Sequence, residues 1–182
     1  MRIVAGSARS RTIEAPRGMD TRPTLDRVRE TIFDILQFSV PGARVLDLYA
    51  GSGAMALEAL SRGAAEAVLV DRDREALRVI KRNIASLGFE DRCTVLPCDD
   101  RAALQRLGAK KKAFDIVFLD PPYRMETDPA IQEILERGLL QKGGILCVEY
   151  DRLEPAAQGG LTLWKERKIG QTRLKLFRLE EM

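Results

Sequence analysis

Apolar residues in this chain recur first at a helical period and then in short continuous runs, and the two patterns alternate almost to the end. Leu25, Val28, Ile32, Ile35 and Leu36 repeat at helical spacing behind Thr24, a good N-cap, until Pro41-Gly42 stops the segment. That helix is expected to pack one face and show arginines on the other. Residues 44–48 read as a buried strand that enters the loop Tyr49-Ala50-Gly51-Ser52-Gly53 and then a helix over 54–62 closed by Gly63. A strand over 67–70, a helix over 73–87 with Gly88 at its end, and a strand over 93–96 follow. Next come a short helix over 101–107, a strand over 114–119, a helix opened by Asp128 as N-cap with Pro129 behind it, and a strand over 145–150. Residues 161–168 and 172–179 read as two strands joined around Ile169-Gly170-Gln171, which is hairpin geometry. The alternation predicts an α/β fold: a Rossmann-like, doubly wound, mostly parallel seven-stranded sheet with a C-terminal antiparallel hairpin, in a single domain spanning 1–182. Ahead of it, residues 1–5 and 12–15 read as short strands of an N-terminal β appendage over 1–23, too small for a core of its own.

Composition narrows the class. A chain of 182 residues with 45% hydrophobic and 31% charged residues fits one core and excludes a disordered or low-complexity protein. No apolar run approaches the roughly 18 to 20 residues of a membrane span. The Met1-Arg2-Ile3-Val4 start lacks a signal peptide's apolar stretch, so no membrane partner and a cytoplasmic location are expected. Cys93, Cys98 and Cys147 form no CxxC pair and are odd in number, which favours reduced thiols over a disulfide or a zinc site. With no histidine, Ser-His-Asp and Cys-His catalysis and the usual catalytic zinc sites are excluded, and no metal is expected. The net charge of +3 lies wholly in residues 1–30, where seven arginines face four acids; the remainder carries 23 of each sign. A basic arm on a neutral body suits a polyanionic partner.

In a doubly wound sheet ligands sit beyond the carboxyl ends of the strands. Four successive strand ends present a carboxylate: Asp47, Asp71, Asp99 and Asp120. The loop Gly51-x-Gly53-x-x-Ala56, with Asp71 twenty residues beyond Gly51, also fits a dinucleotide fingerprint. Either way Gly51 permits a sharp turn, and the bare Gly53 lets a ligand approach the helix N-terminus. Asp47 separates the readings, because a carboxylate at that strand end suits a ligand's ammonium group better than a pyrophosphate. A cofactor with an amino acid end is therefore favoured over NAD.

The segment Val45-Leu46-Asp47-Leu48-Tyr49-Ala50-Gly51-Ser52-Gly53 resembles the first motif of class I methyltransferases that use S-adenosylmethionine. The resemblance implies cofactor contacts from Asp47, Tyr49, Ala50, Gly51, Ser52 and Gly53, with Asp47 near the methionine amine, Asp71 on the ribose hydroxyls, and Asp99 or its neighbour Asp100 facing the adenine. A carboxylate accepts two hydrogen bonds side by side, which is what a ribose diol offers. Asp120-Pro121-Pro122-Tyr123, directly after the strand over 114–119, resembles the (D/N)PP(Y/F) motif of methyltransferases acting on amino groups of nucleobases and, occasionally, of glutamine side chains. The prolines leave a neighbouring carbonyl open to a ligand, Asp120 adds an acceptor, and Tyr123 offers a stacking face. Methyl transfer from a sulfonium requires alignment more than acid or base, so the lack of histidine is no obstacle.

Arg2-Ile3-Val4-Ala5-Gly6, Thr21-Arg22-Pro23-Thr24 and Arg27-Val28-Arg29-Glu30 resemble the N-terminal signature of the bacterial family that methylates guanine N2 in small-subunit (16S) ribosomal RNA. With the two motifs above, the resemblance covers most of the chain in order. Tyr49 stands where phenylalanine is commoner in the family, and Asp71 where glutamate is. Arg22, Arg27 and Arg29 lie where a loop enters a helix N-terminus, a surface suited to phosphate oxygens. The expected partner is small-subunit ribosomal RNA or an assembling 30S particle, and the expected state a monomer. Adenine N6 as the target, an NAD-dependent oxidoreductase and a noncatalytic RNA-binding module are the competing readings.

Overall fold

Alternate residues of each strand feed two separate apolar layers, and this alternation sets the architecture. The computed structural model describes residues 1–19, 23–122 and 124–181, with the backbone alone at 23 and 24. Its elements are α1 (Pro23–Leu36), β1 (Arg44–Asp47), α2 (Ala54–Ser61), β2 (Glu66–Val70), α3 (Arg74–Leu87), β3 (Cys93–Leu96), α4 (Asp100–Ala109), β4 (Phe114–Leu119), α5 (Asp128–Glu136), β5 (Leu140–Tyr150), β6 (Leu161–Ile169) and β7 (Thr172–Leu179). One seven-stranded sheet runs β3-β2-β1-β4-β5-β7-β6, parallel through β5 and antiparallel at β7 and β6. The expected fold class and strand count are those observed.

On one face Val45, Leu69, Ile116, Phe118, Ile145 and Leu176 pack with Ile32, Phe33 and Leu36 of α1 and with Leu57, Leu60, Ile80 and Ile84 of α2 and α3. On the other, Leu46, Val68, Val117, Leu146 and Phe177 pack with Leu104 and Leu107 of α4 and Ile131 and Ile134 of α5. Among the described residues no helix is long and apolar enough to cross a membrane. The three cysteines are free; Cys147 is buried, and Cys93 and Cys98 are half-buried. Removal from water pushes the Cys93 thiol up to about 12, which keeps it an unreactive thiol.

Several boundaries differ from expectation. Helix α1 starts at Pro23, whose missing N–H costs nothing at a first helical position, so Thr24 lies inside the helix instead of capping it. The cap of α5 is Thr127, with Asp128 in its first turn. The N-terminal segment forms a single antiparallel bridge, Arg2 to Thr12, in place of two strands. It is also less detached than its sequence implies: Ile3, Ala8 and Ile13 are buried within the α1–α3 layer. Trp164, expected in the core, is half-buried, with the Arg178 guanidinium 3.9 Å above its ring.

A buried carboxylate holds that segment. Glu58 of α2 is fully buried and accepts the amides of Val4 at 2.8 Å and Ala5 at 3.1 Å. Arg62 reaches the same carboxylate at 2.9 Å and Arg29 at 3.5 Å. Ser61 Oγ accepts the Ala8 amide and donates to the Ala5 carbonyl, and Asn83 of α3 bridges Glu14 to the Ser52 carbonyl.

Candidate active site

The chain leaves β1 toward β2 and β3, then returns to lay β4 on the other side of β1, so the topological switch point lies between β1 and β4. There Asp47 is paired with Phe118, and one strand further Leu119 is paired with Val148. The register brings the carboxylates of Asp47, Asp120 and Glu149 to one end of three adjacent strands.

Asp47 is only 2% exposed. Its Oδ2 is buried without a hydrogen-bond partner among the described residues. Burial foremost, then the nearby Asp120, pushes its carboxyl up to about 7, although the amides of Ala56 and Tyr49 pull the other way. An orphaned buried carboxylate oxygen is costly unless a cation or donor meets it, so this position fits a ligand's ammonium group.

Asp120 opens to solvent at the floor of a cleft but is hemmed in by protein atoms, which hold its carboxyl above the ordinary range. It is hydrogen-bonded to Glu149. Removal from water, and then the charge of Asp120, hold the half-buried Glu149 well above the carboxylate range. The two acids crowd one another at the ends of neighbouring strands, and each raises the cost of charging the other.

Two cavities meet at Pro122 and Met125. One, of about 230 Å³, is lined by Leu48, Tyr49, Asp71, Cys98, Asp99 and Asp100. The other, of about 480 Å³, is lined by Asp120, Pro121, Glu149, Tyr150, Arg152 and Thr172, with Leu25 at the start of α1 on its border. In the smaller cavity Asp71 Oδ2 accepts the Gly51 amide and Oδ1 the Asp73 amide, both at 2.9 Å, which ties the glycine loop to the end of β2. Tyr49 donates to Asp100 at 2.8 Å, and that bond with burial keeps the phenol protonated. Asp99 caps α4 by accepting the Ala102 amide at 2.7 Å. Asp99 and Asp100 both face the cavity, so neither displaces the other as a contact for a ligand.

Three expectations need correction. Arg29 is 5% exposed, donates to the Arg2 carbonyl at 2.5 Å and pairs with Glu58 and Asp26; it holds the N-terminal segment and does not face phosphate. Ser52 is fully buried, its Oγ accepting the Ala54 amide, so its side chain does not reach the cavity. A Cβ on Gly53 would meet Leu69 at 3.1 Å and Leu57 at 3.4 Å, at a φ of +84°. Glycine there answers helix-on-sheet packing and a left-handed turn, not close approach of a ligand. Ala50 is nearly buried and takes part through its backbone, its amide donating to the Val70 carbonyl. Gly51 lies under Met19 of the N-terminal segment, and Arg27 is exposed. Arg22 and Tyr123 lie outside the described residues, as does the side chain of Thr24. Among these residues no group of three or more His, Cys, Asp or Glu is arranged to hold a metal ion.

Glu149 is the residue that sequence reading missed. The same rule that picks out Asp47 and Asp120, an acid at the end of an apolar strand, applies to Cys147-Val148-Glu149, and only extension of the rule to β5 was needed.

The model of the family described as Conserved hypothetical protein 95 matches residues 1–178. The chain belongs to this family. Ribosomal RNA small subunit methyltransferase D of Escherichia coli K12 is 34% identical over 183 residues, covering 99% of this chain and 90% of that protein. YlbH of Bacillus subtilis is 35% identical over 181 residues, covering 98% of each. The solved structure of yhhF from Escherichia coli superposes with a TM-score of 0.87 at 35% identity, covering 100% of this chain and 99% of that one. The expected family and the expected methyltransferase class are borne out by these relatives. The family match begins at Met1, so the N-terminal segment and its Glu58 clasp belong to the matched region.

Proposed function

We propose that this chain transfers a methyl group from S-adenosylmethionine to the exocyclic N2 amine of a guanine in small-subunit ribosomal RNA. The observation that carries the reading is the pair of cavities joined at Pro122 and Met125, with Asp71, Asp99 and Asp100 on one side and Asp120, Pro121 and Glu149 on the other. S-adenosylmethionine, when bound, supplies a methyl group on a positively charged sulfur, open to attack by an uncharged amine. Asp47 would hold the methionine ammonium, Asp71 the ribose hydroxyls, and Asp99 with Asp100 the adenine side of the smaller cavity. Tyr49 would complete that wall, with Ala50 and Gly51 on the loop behind it.

On the acceptor side, Asp120 and the Pro121 carbonyl would take the two hydrogens of the amine and leave its lone pair aimed at the methyl carbon. Tyr123 would stack on the base, a contact worth about 1 to 3 kcal/mol. The carboxylate of Asp120 would then take up the N2 proton that methylation of the amine releases. Arg152 lines the larger cavity and Arg27 stands exposed on α1; both, with Arg22, would suit phosphate oxygens. The protein acts as a monomer without metal, in the cytoplasm, on ribosomal RNA or an assembling subunit.

The test is transfer of labelled methyl to RNA from cells lacking the enzyme, followed by nucleoside analysis. N2-methylguanosine in small-subunit RNA is the expected product. N6-methyladenine would replace the proposed base, and tighter binding of NAD than of S-adenosylmethionine would remove the reading altogether.

A further inference from the structure

Glu149 has no role in holding the fold that its surroundings reveal. Its strand partner is Leu174, its hydrogen-bond partner is Asp120, and the charges acting on it, Asp120 and Asp47, are both negative. An acid placed among acids at the end of a central strand is destabilising unless a ligand supplies donors. The same side chain lines the cleft with Asp120, Pro121 and Pro122, directly beside the atoms assigned to the acceptor amine.

Guanine and adenine differ at that point. The Watson–Crick edge of guanine carries two neighbouring donors, N1–H and the N2 amine. Adenine carries an amine beside a bare N1 lone pair. Two adjacent carboxylates answer the first pattern and repel the second.

We infer that Glu149 is the specificity-determining residue of the acceptor cleft: its carboxylate accepts guanine N1–H while Asp120 accepts the N2 amine, so that the base is chosen by two acceptors drawn from neighbouring strands. The inference rests on the guanine-N2 reading above and deepens it. Guanine, with N1–H beside its amine, gives one donor to each carboxylate, whereas adenine leaves the Glu149 carboxylate against a lone pair.

The experiment compares wild type, Glu149→Gln and Glu149→Ala on a synthetic RNA carrying either guanine or 2-aminopurine at the methylated position. 2-Aminopurine keeps the N2 amine but presents a lone pair at N1. The wild type should prefer guanine by roughly ten- to a hundredfold in kcat/KM, the factor expected for one mismatched buried acceptor. Glu149→Gln, whose amide can turn its NH2 toward N1, should narrow that preference to near unity or invert it. Glu149→Ala should lose the preference by slowing guanine alone. S-adenosylmethionine affinity by calorimetry should stay within a few fold throughout, which a general collapse of the site would not permit. Retention of the wild-type preference by Glu149→Gln overturns the inference and leaves the guanine-N2 reading standing. Absence of transfer to guanine by the wild type overturns that reading, and this inference with it. If Glu149→Ala does not fold, the near-isosteric Glu149→Gln decides the matter alone.

Discussion

Two acidic centres of this molecule are answered in opposite ways. At Glu58 the protein itself meets the carboxylate, with two backbone amides and two guanidinium groups around a fully buried side chain. At the strand ends Asp47, Asp120 and Glu149 are crowded against one another, and one oxygen of Asp47 has no partner among the described residues. A buried acid whose lone pairs are met by its own chain is a fastening. A group of acids whose charges oppose each other is a site held ready for donors from outside.

The sharpest way to test that contrast is to remove Glu58. Glu58→Ala leaves the Val4 and Ala5 amides unanswered and takes from the buried Arg29 its one fully buried acid, and should cost about 3 to 5 kcal/mol, read by denaturant unfolding. A stable Glu58→Ala protein would show that the N-terminal segment is fastened elsewhere.

Asp120→Ala should do the reverse. It should lower methyl transfer by roughly a hundredfold or more through lost alignment of the acceptor, with unfolding unchanged or slightly harder because one of the crowded acids is gone. Cofactor affinity should stay within a few fold. A mutant with near wild-type turnover would reduce the DPPY segment to a turn.

Asp71→Ala removes the proposed ribose acceptor and the tether on Gly51, and should weaken S-adenosylmethionine binding by about 1.5 to 3 kcal/mol by calorimetry. Unchanged affinity would take Asp71 out of the site.

The raised carboxyl of Asp47, about 7 against an ordinary 3.8, gives two opposite pH trends. The folded state holds the proton more tightly than the unfolded one, so the stability Asp47 contributes to the ligand-free protein is fully present below 3.8 and is lost as pH rises through about 7. Asp120 and Glu149, also raised, act in the same direction. Binding of an ammonium group needs the charged form, so cofactor affinity should instead fall as pH drops through about 7. Asp47→Asn should flatten the affinity trend and remove its share of the stability trend. Parallel trends in wild type would break the assignment.

The smallest expected effect separates two arginines two residues apart. Arg27→Ala should flatten the salt dependence of RNA binding by a little under one unit of slope and leave stability intact. Arg29→Ala should leave the slope unchanged and destabilise the fold. A wild-type slope for both variants would mean that neither grips RNA.

Periodicity determined the sheet. Runs such as Phe114-Asp115-Ile116-Val117-Phe118-Leu119 are buried on both faces, and so have few ways to be anything but central strands. The strand-end rule likewise found Asp47, Asp71, Asp99 and Asp120, because in parallel sheets the register of each strand delivers its last residue to one shared edge. What the sequence could not determine is which polar side chain faces inward. Arg27 and Arg29 are alike in type and lie about 200° apart around the helix, and it is the tertiary fold that gives one of them Glu58 of α2 as a buried partner and leaves the other to solvent. The same holds for Gly53, whose missing side chain answers Leu69 on the neighbouring strand, and for Glu149, which becomes part of a site only when β5 is laid beside β4. Burial and charge pairing depend on residues remote in sequence, so they are decided by packing, whereas hydrophobic period and turn chemistry are local and can be read along the chain.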